Sequence, residues 1–347
     1  MFHRRTALTG AVVSLTALAL SSCGNVEPPE GAASGDGGIV ITYNSPTEWG
    51  NYGAVLSAFT EETGIEAPND PKNSGQALAA LQAEKGSPVA DVAYTGIAFA
   101  EQLVEADVLQ EYVPEGADQV PDDLRDPDGA WTSVHTGTIA FIVNGDHLDG
   151  APVPQSWDDL LDPAYEGKVG YLDPTQAAVG YSAATAVNLA LGGDFDDWGP
   201  GLDYLNGLKD NGASTAAQTA TAKVAQGEIP ILIDTDFNGY KLRDEGADVS
   251  VVIPEEGSLQ IPYIVGLVNG APNEDNGREL LDFYFSEQGQ GLFAAGYMRP
   301  VIGEMPADLA EKVLPPEDYE RAETIDYVEQ GLRQQEFVEL YQDEVGF

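Results

Sequence analysis

The sequence predicts an α/β fold built as two lobes joined by strands. Three observations carry that expectation. Short apolar β-type runs alternate with stretches of helical spacing, two longer β-rich segments interrupt the alternation, and the chain is too long for one small core. Gly38 to Tyr43 is a buried-type strand that ends in Asn44-Ser45-Pro46-Thr47. Tyr52 to Thr63 carries Val55, Leu56 and Phe59 at helical spacing and stops at Gly64, which suits a left-handed cap. A second strand near Ile65 leads to Asn73-Ser74-Gly75 and a helix over Gln76 to Glu84. A third, Ala90 to Tyr94, leads to Thr95-Gly96 and another helix, a repetition that favours a mainly parallel sheet.

Trp131 to Asn144 is long, β-rich and alternating, as a strand passing from one lobe into the other would be. A second lobe follows, with a strand at Lys168 to Leu172, a helix from Thr175 to Leu191 and a buried strand at Ile229 to Ile233. Ser258 to Asn269 is again β-rich and crosses back. The expected division is lobe 1 over 39–138 and 256–305, lobe 2 over 139–255, and C-terminal helices over 306–347 packed on lobe 2. Two lobes on hinge strands suit closure around a ligand.

The N-terminus reads as an export signal. Met1 to Arg5 is short and positive, and Ala7 to Leu20 is apolar but short of the roughly 20 residues of a comfortable membrane span. Leu20-Ser21-Ser22-Cys23 resembles the lipobox of bacterial lipoproteins, which makes 1–22 a signal peptide and Cys23 the lipidation site. Arg4-Arg5 leaves both the general and the twin-arginine export routes open. Residues 23–38, rich in Gly, Ser, Pro and Glu, suit a flexible tether. The mature chain is thus expected outside the cytoplasm, anchored to the outer face of the cell membrane. Cys23 is the only cysteine, so no disulfide forms within the chain.

Charge excludes one class of partner. With 58 acidic residues against 15 basic, the net charge of −43 repels phosphate backbones, and nucleic acid is not expected. The acids are scattered in pairs such as Asp122-Asp123 and Asp196-Asp197, and 43% of residues are hydrophobic, as in a folded domain. Self-repulsion on this scale suits a salty environment, where screening is strong.

Several segments together resemble family 1 extracellular solute-binding proteins. Val40-Ile41-Thr42-Tyr43-Asn44 and Phe59 through Ile65 match the family's opening, and Pro88-Val89-Ala90-Asp91-Val92 its next landmark. Ser156-Trp157-Asp158-Asp159-Leu160-Leu161 with Tyr165-Glu166-Gly167-Lys168-Val169 is the most specific piece. Gly227-Glu228-Ile229-Pro230, Ala271-Pro272-Asn273 and Gly289-Gln290 follow in the family's order. The resemblance implies the type II periplasmic-binding fold and a role in an ABC-type importer. It points to the branch of ferric-ion, polyamine, 2-aminoethylphosphonate and sugar-phosphate binders. Where ferric binders of that branch carry two adjacent tyrosines this chain has Asp236 and Phe237, and Thr47 and Gly96-Ile97 replace their histidine and glutamate. No metal and no cofactor is therefore expected, and the same comparison puts the anion-binding helix start on Thr175-Gln176-Ala177.

In such a fold the cleft is lined by strand ends and helix N-termini. Ser45, Thr47, Glu48 and Trp49 offer hydroxyls, a carboxylate and an aromatic face, although Trp49 also suits inter-lobe packing. Ser74-Gly75 before one helix and Thr95-Gly96 before another offer backbone N–H groups to an anion, with plain capping as the alternative for Ser74. Thr138 on the crossing segment, Thr175 and Tyr181 at the long helix, and Tyr263 are further candidates. Asp234, Asp236 and Asn238 follow an apolar strand and include more acid than a turn requires. The set suits a small anionic or zwitterionic solute such as an aminophosphonate or a sugar phosphate; a polyamine or ferric ion is the alternative. No catalytic constellation is present: neither a His-x-x-x-His pair, a Gly-x-Ser-x-Gly elbow nor a phosphate loop occurs, so an enzyme is not expected. A non-transport sensor on the same fold is the remaining class. The expected partners are a small solute, permease subunits and the lipid bilayer, with the chain itself a monomer.

Overall fold

The structure is a computed structural model that describes residues 37–346. The signal-type segment, Cys23 and nearly all of the tether lie outside the described residues.

Lobe 1 opens with β1 (Thr42–Asn44), α1 (Tyr52–Thr63), β2 (Asn69–Pro71), α2 (Ser74–Glu84), β3 (Val92–Gly96), α3 (Ala100–Glu105) and β4 (Leu109–Gln110). The crossing strand β5 (Thr132–Asn144) leads to lobe 2: β6 (Val169–Leu172), α4 (Ala178–Ala190), α5 (Gly199–Asp210), β7 (Ser214–Ala216), α6 (Ala220–Ala225), β8 (Ile231–Thr235), α7 (Asp236–Asp244) and β9 (Val249–Val252). The chain returns through β10 (Ser258–Val268) to α8 (Glu274–Phe285), α9 (Glu287–Ala295) and β11 (Arg299–Pro300). Two single turns, α10 (Ala307–Ala310) and α11 (Pro316–Tyr319), then β12 (Ala322–Glu323) and α12 (Tyr327–Glu344) complete it.

Parallel pairing of β1 with β2 and β3, and of β6 with β7 and β8, gives each lobe a core of βα units. The lobes are joined because β5 changes partners along its length. Its first half pairs antiparallel with β10 (Thr132↔Val265 to Thr138↔Gln260), and its second half with β8 and β9 (Ile139↔Thr235 to Asn144↔Val249). The strand is long enough for both because its 13 residues are almost all buried and rich in Thr, Val and Ile.

Local chemistry explains most element ends. Gly64 takes φ 76°, and its N–H donates to the Thr60 carbonyl, which closes α1 where the sequence predicts. Asn73 and Gln76 form a reciprocal capping box that starts α2 at Ser74. The long helix of lobe 2 starts later than expected: Asp173 binds the N–H and hydroxyl of Thr175, holding 173–176 in a turn before α4. α4 is small or apolar all round and runs through the centre of its lobe, buried from Ala178 to Asn188.

The C-terminal helix corrects one expectation. α12 packs on both lobes, not on lobe 2 alone. Gln102 of α3 donates to the Gly331 carbonyl and to Gln334, while Tyr181 and Tyr171 of lobe 2 bond Gln330 and Tyr341. The segment 306–346 thus straps the two lobes together.

Acid outweighs base so heavily that repulsion between surface carboxylates opposes this compact state. Raising NaCl from about 0.1 M to about 1 M shortens the Debye length from roughly 10 to 3 Å. The melting temperature of the chain is expected to rise across that range; a flat or falling profile in thermal unfolding would contradict the account.

Candidate functional site

The cleft between the lobes holds a cavity of about 500 Å³, lined from lobe 1 by Pro46, Thr47, Glu48, Asn69, Pro71, Lys72, Asn73 and Gln76. Lobe 2 supplies Leu172, Asp173, Ala177 and the stretch Ala216 to Thr219. These are ends of β1, β2, β6 and β7, where parallel strands deliver their loops to one rim. Among the described residues Lys72 is the only basic one in the lining. It is held in place, 2.7 Å from Asp70 and 4.2 Å from the centre of the Tyr43 ring. Glu48 and Asp173 are the carboxylates. The cavity therefore offers both signs of charge in a protein of extreme negative charge.

Beside the cavity the lobes touch. Gly75 N–H donates to the Gln176 carbonyl (2.9 Å), Gln218 to the Ser45 hydroxyl (3.2 Å), Gly50 N–H to Asn238 (3.3 Å) and Lys241 to the Glu48 carbonyl (2.5 Å). Gly96 lies against α4 so closely that a Cβ there would come within 2.4 Å of the Ala178 Cβ. Trp49 of lobe 1 meets Phe237 of lobe 2 edge to face at 5.8 Å. These contacts hold a closed arrangement.

Of the residues singled out from sequence, Thr47 and Glu48 line the cavity. Ser45, Trp49, Ser74, Gly75, Thr95, Gly96, Asp234, Asn238 and Tyr263 are buried or half-buried around the lobe seam. The N–H groups expected to meet an anion at Gly75 and Thr175 already have partners. At α2 the Gly75 and Gln76 N–H groups already have partners in Gln176 and Asn73, and the Ser74 hydroxyl accepts from Gly96 N–H. The Thr175 N–H and hydroxyl are both spent on Asp173. Tyr181 lies inside lobe 2, against Trp198 and Phe337, and not in the cleft.

Asp236 departs furthest from its expected place. It starts α7, is fully buried, and pairs with Arg299 at 2.6 Å while accepting from Thr138 N–H and the Tyr319 hydroxyl. Thr138 in turn accepts from Arg299 through its hydroxyl. Both are hinge-locking groups, joining lobe 1 (β11), lobe 2 (α7), the crossing strand and the C-terminal strap. Asp234 to Tyr240, expected to follow the strand, supplies the last two residues of β8 and the first five of α7. Lys72 is the residue that sequence reasoning missed; its signal is one lysine directly before a capped helix in a chain with so little base.

Asp234 is fully buried on β8. Its Oδ1 accepts from Thr235 N–H (2.6 Å), the Thr235 hydroxyl (3.2 Å) and Asn238 (3.4 Å), whereas its Oδ2 has no partner among the described residues. Burial pushes the carboxyl up to about 7, with Thr235 and Asn238 opposing that rise. His135, buried in the adjoining aromatic cluster, is pushed down to about 3 by burial and is neutral. Among the described residues no group of three or more His, Cys, Asp or Glu is placed to hold a metal ion.

Residues 87–327 match the family described as bacterial extracellular solute-binding protein. The chain belongs to that family. A periplasmic protein of Salmonella paratyphi A named for 2-aminoethylphosphonate binding is 32% identical over 247 residues, 69% of this chain and 70% of that protein. The fructose-6-phosphate-bound periplasmic binding protein AfuA of Actinobacillus pleuropneumoniae is 24% identical, covering 89% of this chain and 98% of its own, with a TM-score of 0.74. Iron-bound HitA of Pseudomonas aeruginosa is 21% identical over 88% and 99% of the two chains, with a TM-score of 0.71. This solute-binding protein thus has the type II periplasmic-binding architecture, two lobes on crossing strands with the cleft between them.

Two predictions follow from its buried charges. Arg299→Ala strands the Asp236 carboxylate and is expected to destabilise the fold by about 3–5 kcal/mol, with much of the loss recovered in Arg299→Met/Asp236→Asn, whose amide oxygen still accepts from Thr138 N–H; denaturant unfolding checks both. Because the Asp234 carboxyl sits above its ordinary 3.8, its protonated form favours the fold. That contribution is complete below pH 3.8 and lost as the pH rises to about 7. The stability of the protein relative to Asp234→Asn should therefore fall across this window, and a constant difference would contradict it.

Proposed function

We propose that this chain is the solute-capturing component of an ABC importer, taking a small zwitterion of the aminophosphonate kind into the interlobe cleft. The observation that carries the reading is Lys72. It is a pinned ammonium in a cavity whose other charged lining groups are Glu48 and Asp173. Lys72 suits a phosphonate or phosphate, and the two carboxylates suit an ammonium or hydroxyls. The relative named for 2-aminoethylphosphonate supports the zwitterion over a simple anion. A polyamine would leave Lys72 facing like charge.

Lipidation at Cys23 would tether the binding protein beside its permease. The closed form, stapled by Lys241–Glu48, Gln218–Ser45 and Gly50–Asn238, is then the one that docks. The chain works as a monomer and carries out no chemistry on its solute.

Titration calorimetry with 2-aminoethylphosphonate, glucose 6-phosphate and putrescine tests the reading. A charge-assisted hydrogen bond is worth about 1.5–3 kcal/mol, so Lys72→Gln should weaken phosphonate binding roughly 10-fold or more. Binding of putrescine alone, unchanged in Lys72→Gln, would replace the zwitterion reading with a polyamine one.

A further inference from the structure

The seam beside the cavity contains an arrangement that the hinge does not explain. Trp49, Tyr94, Phe237 and Tyr263 enclose one side of it. Trp49 meets Phe237 at 5.8 Å, Phe237 meets Tyr263 at 6.0 Å, and Tyr263 stacks on Tyr94 at 5.4 Å with the rings 3° from parallel. Asp234 is close enough to Tyr263 to push its phenol well above the ordinary range, after burial itself. All five side chains are buried. Among the described residues Asp234 Oδ2 has no hydrogen-bond partner, and the Tyr263 phenol, turned toward Thr235 and Asp234, has no closer partner than these.

An unpaired buried carboxylate oxygen costs free energy in either protonation state. Ionised, it has no counter-charge; protonated, its O–H has no acceptor. A group with several donors and a positive charge satisfies both Oδ2 and the phenol oxygen, and the aromatic faces attract the same group through their quadrupoles. The neighbouring Asp236 cannot compete for it, because Arg299 and Tyr319 already hold it. The wall is also divided between the lobes: Trp49 comes from lobe 1 and Phe237 from lobe 2, with Tyr263 on the crossing strand β10. Parting the lobes would open the site, and a bound cation would draw them together.

We infer that Asp234, walled by Trp49, Phe237 and Tyr263, is the binding site for a primary ammonium group of the solute. The inference rests on the zwitterion reading above and deepens it by giving the amine to Asp234, behind the rim carboxylates Glu48 and Asp173, which are left to the solute's remaining polar groups. Lys72 and Asp234 then read the two ends of one solute, and an amine-free phosphonate makes only the first contact.

Calorimetry on the full chain with 2-aminoethylphosphonate, ethylphosphonate and putrescine separates the outcomes. The expected result is that Asp234→Asn weakens 2-aminoethylphosphonate at least 10-fold and leaves ethylphosphonate unchanged. Tyr263→Phe and Trp49→Leu, read the same way, keep the test open if Asp234→Asn fails to fold. Equal weakening of both phosphonates would overturn the ammonium site. So would a parent protein that binds the two phosphonates equally well, although the anion reading would survive. Putrescine binding that vanishes in Asp234→Asn, with no phosphonate bound, would support the ammonium site and overturn the zwitterion reading. A chain that binds none of the three overturns both.

Discussion

The structure depends on one strand keeping two sets of partners. β5 gives its first half to the sheet of lobe 1 and its second half to that of lobe 2, and the change falls between Thr138 and Ile139. At that point the Thr138 N–H binds Asp236 and its hydroxyl binds Arg299. One residue earlier, Gly137 makes room for the Phe237 ring, which a Cβ would approach to 2.7 Å. Hinge, ion pair and aromatic seam therefore meet within three residues. A rotation between the lobes must be absorbed there, and every group on the cleft walls moves with it.

The ion pair sets the geometry of the seam more than its stability. A buried pair gains little net free energy against its desolvation cost, but either partner left alone is expensive. Arg299 from one lobe and Asp236 from the other thus fix where α7 begins, and with it the positions of Asp234, Phe237 and Asn238. The proposed solute site inherits its shape from a pair that does not line the cavity.

Legibility in the sequence followed the range of the interactions. α1 could be read to the residue because Val55, Leu56, Phe59 and Gly64 define it locally. The crossing strands were legible because their alternation is unusually long. Asp234 and Asp236 stand out in the sequence as acids after an apolar strand, but the burial of Asp236 does not; what tolerates it there is Arg299, 63 residues away. The sequence places a helix start at Thr175, yet Asp173 consumes its donors within one turn. Lys72 was overlooked because a single lysine has no periodicity. Only the fold brings it to the rim shared with Glu48 and Asp173. Asp234 was visible as a candidate, but the contrast between its two oxygens needs coordinates.

In the proposed function a zwitterionic solute closes the two lobes on each other. Small-angle X-ray scattering of the chain in about 1 M NaCl, where screening removes most interparticle repulsion, reads this directly. Adding 2-aminoethylphosphonate should reduce the radius of gyration, with the bound profile matching the closed structure. A profile identical with and without the solute, at concentrations where calorimetry shows it bound, would contradict the account.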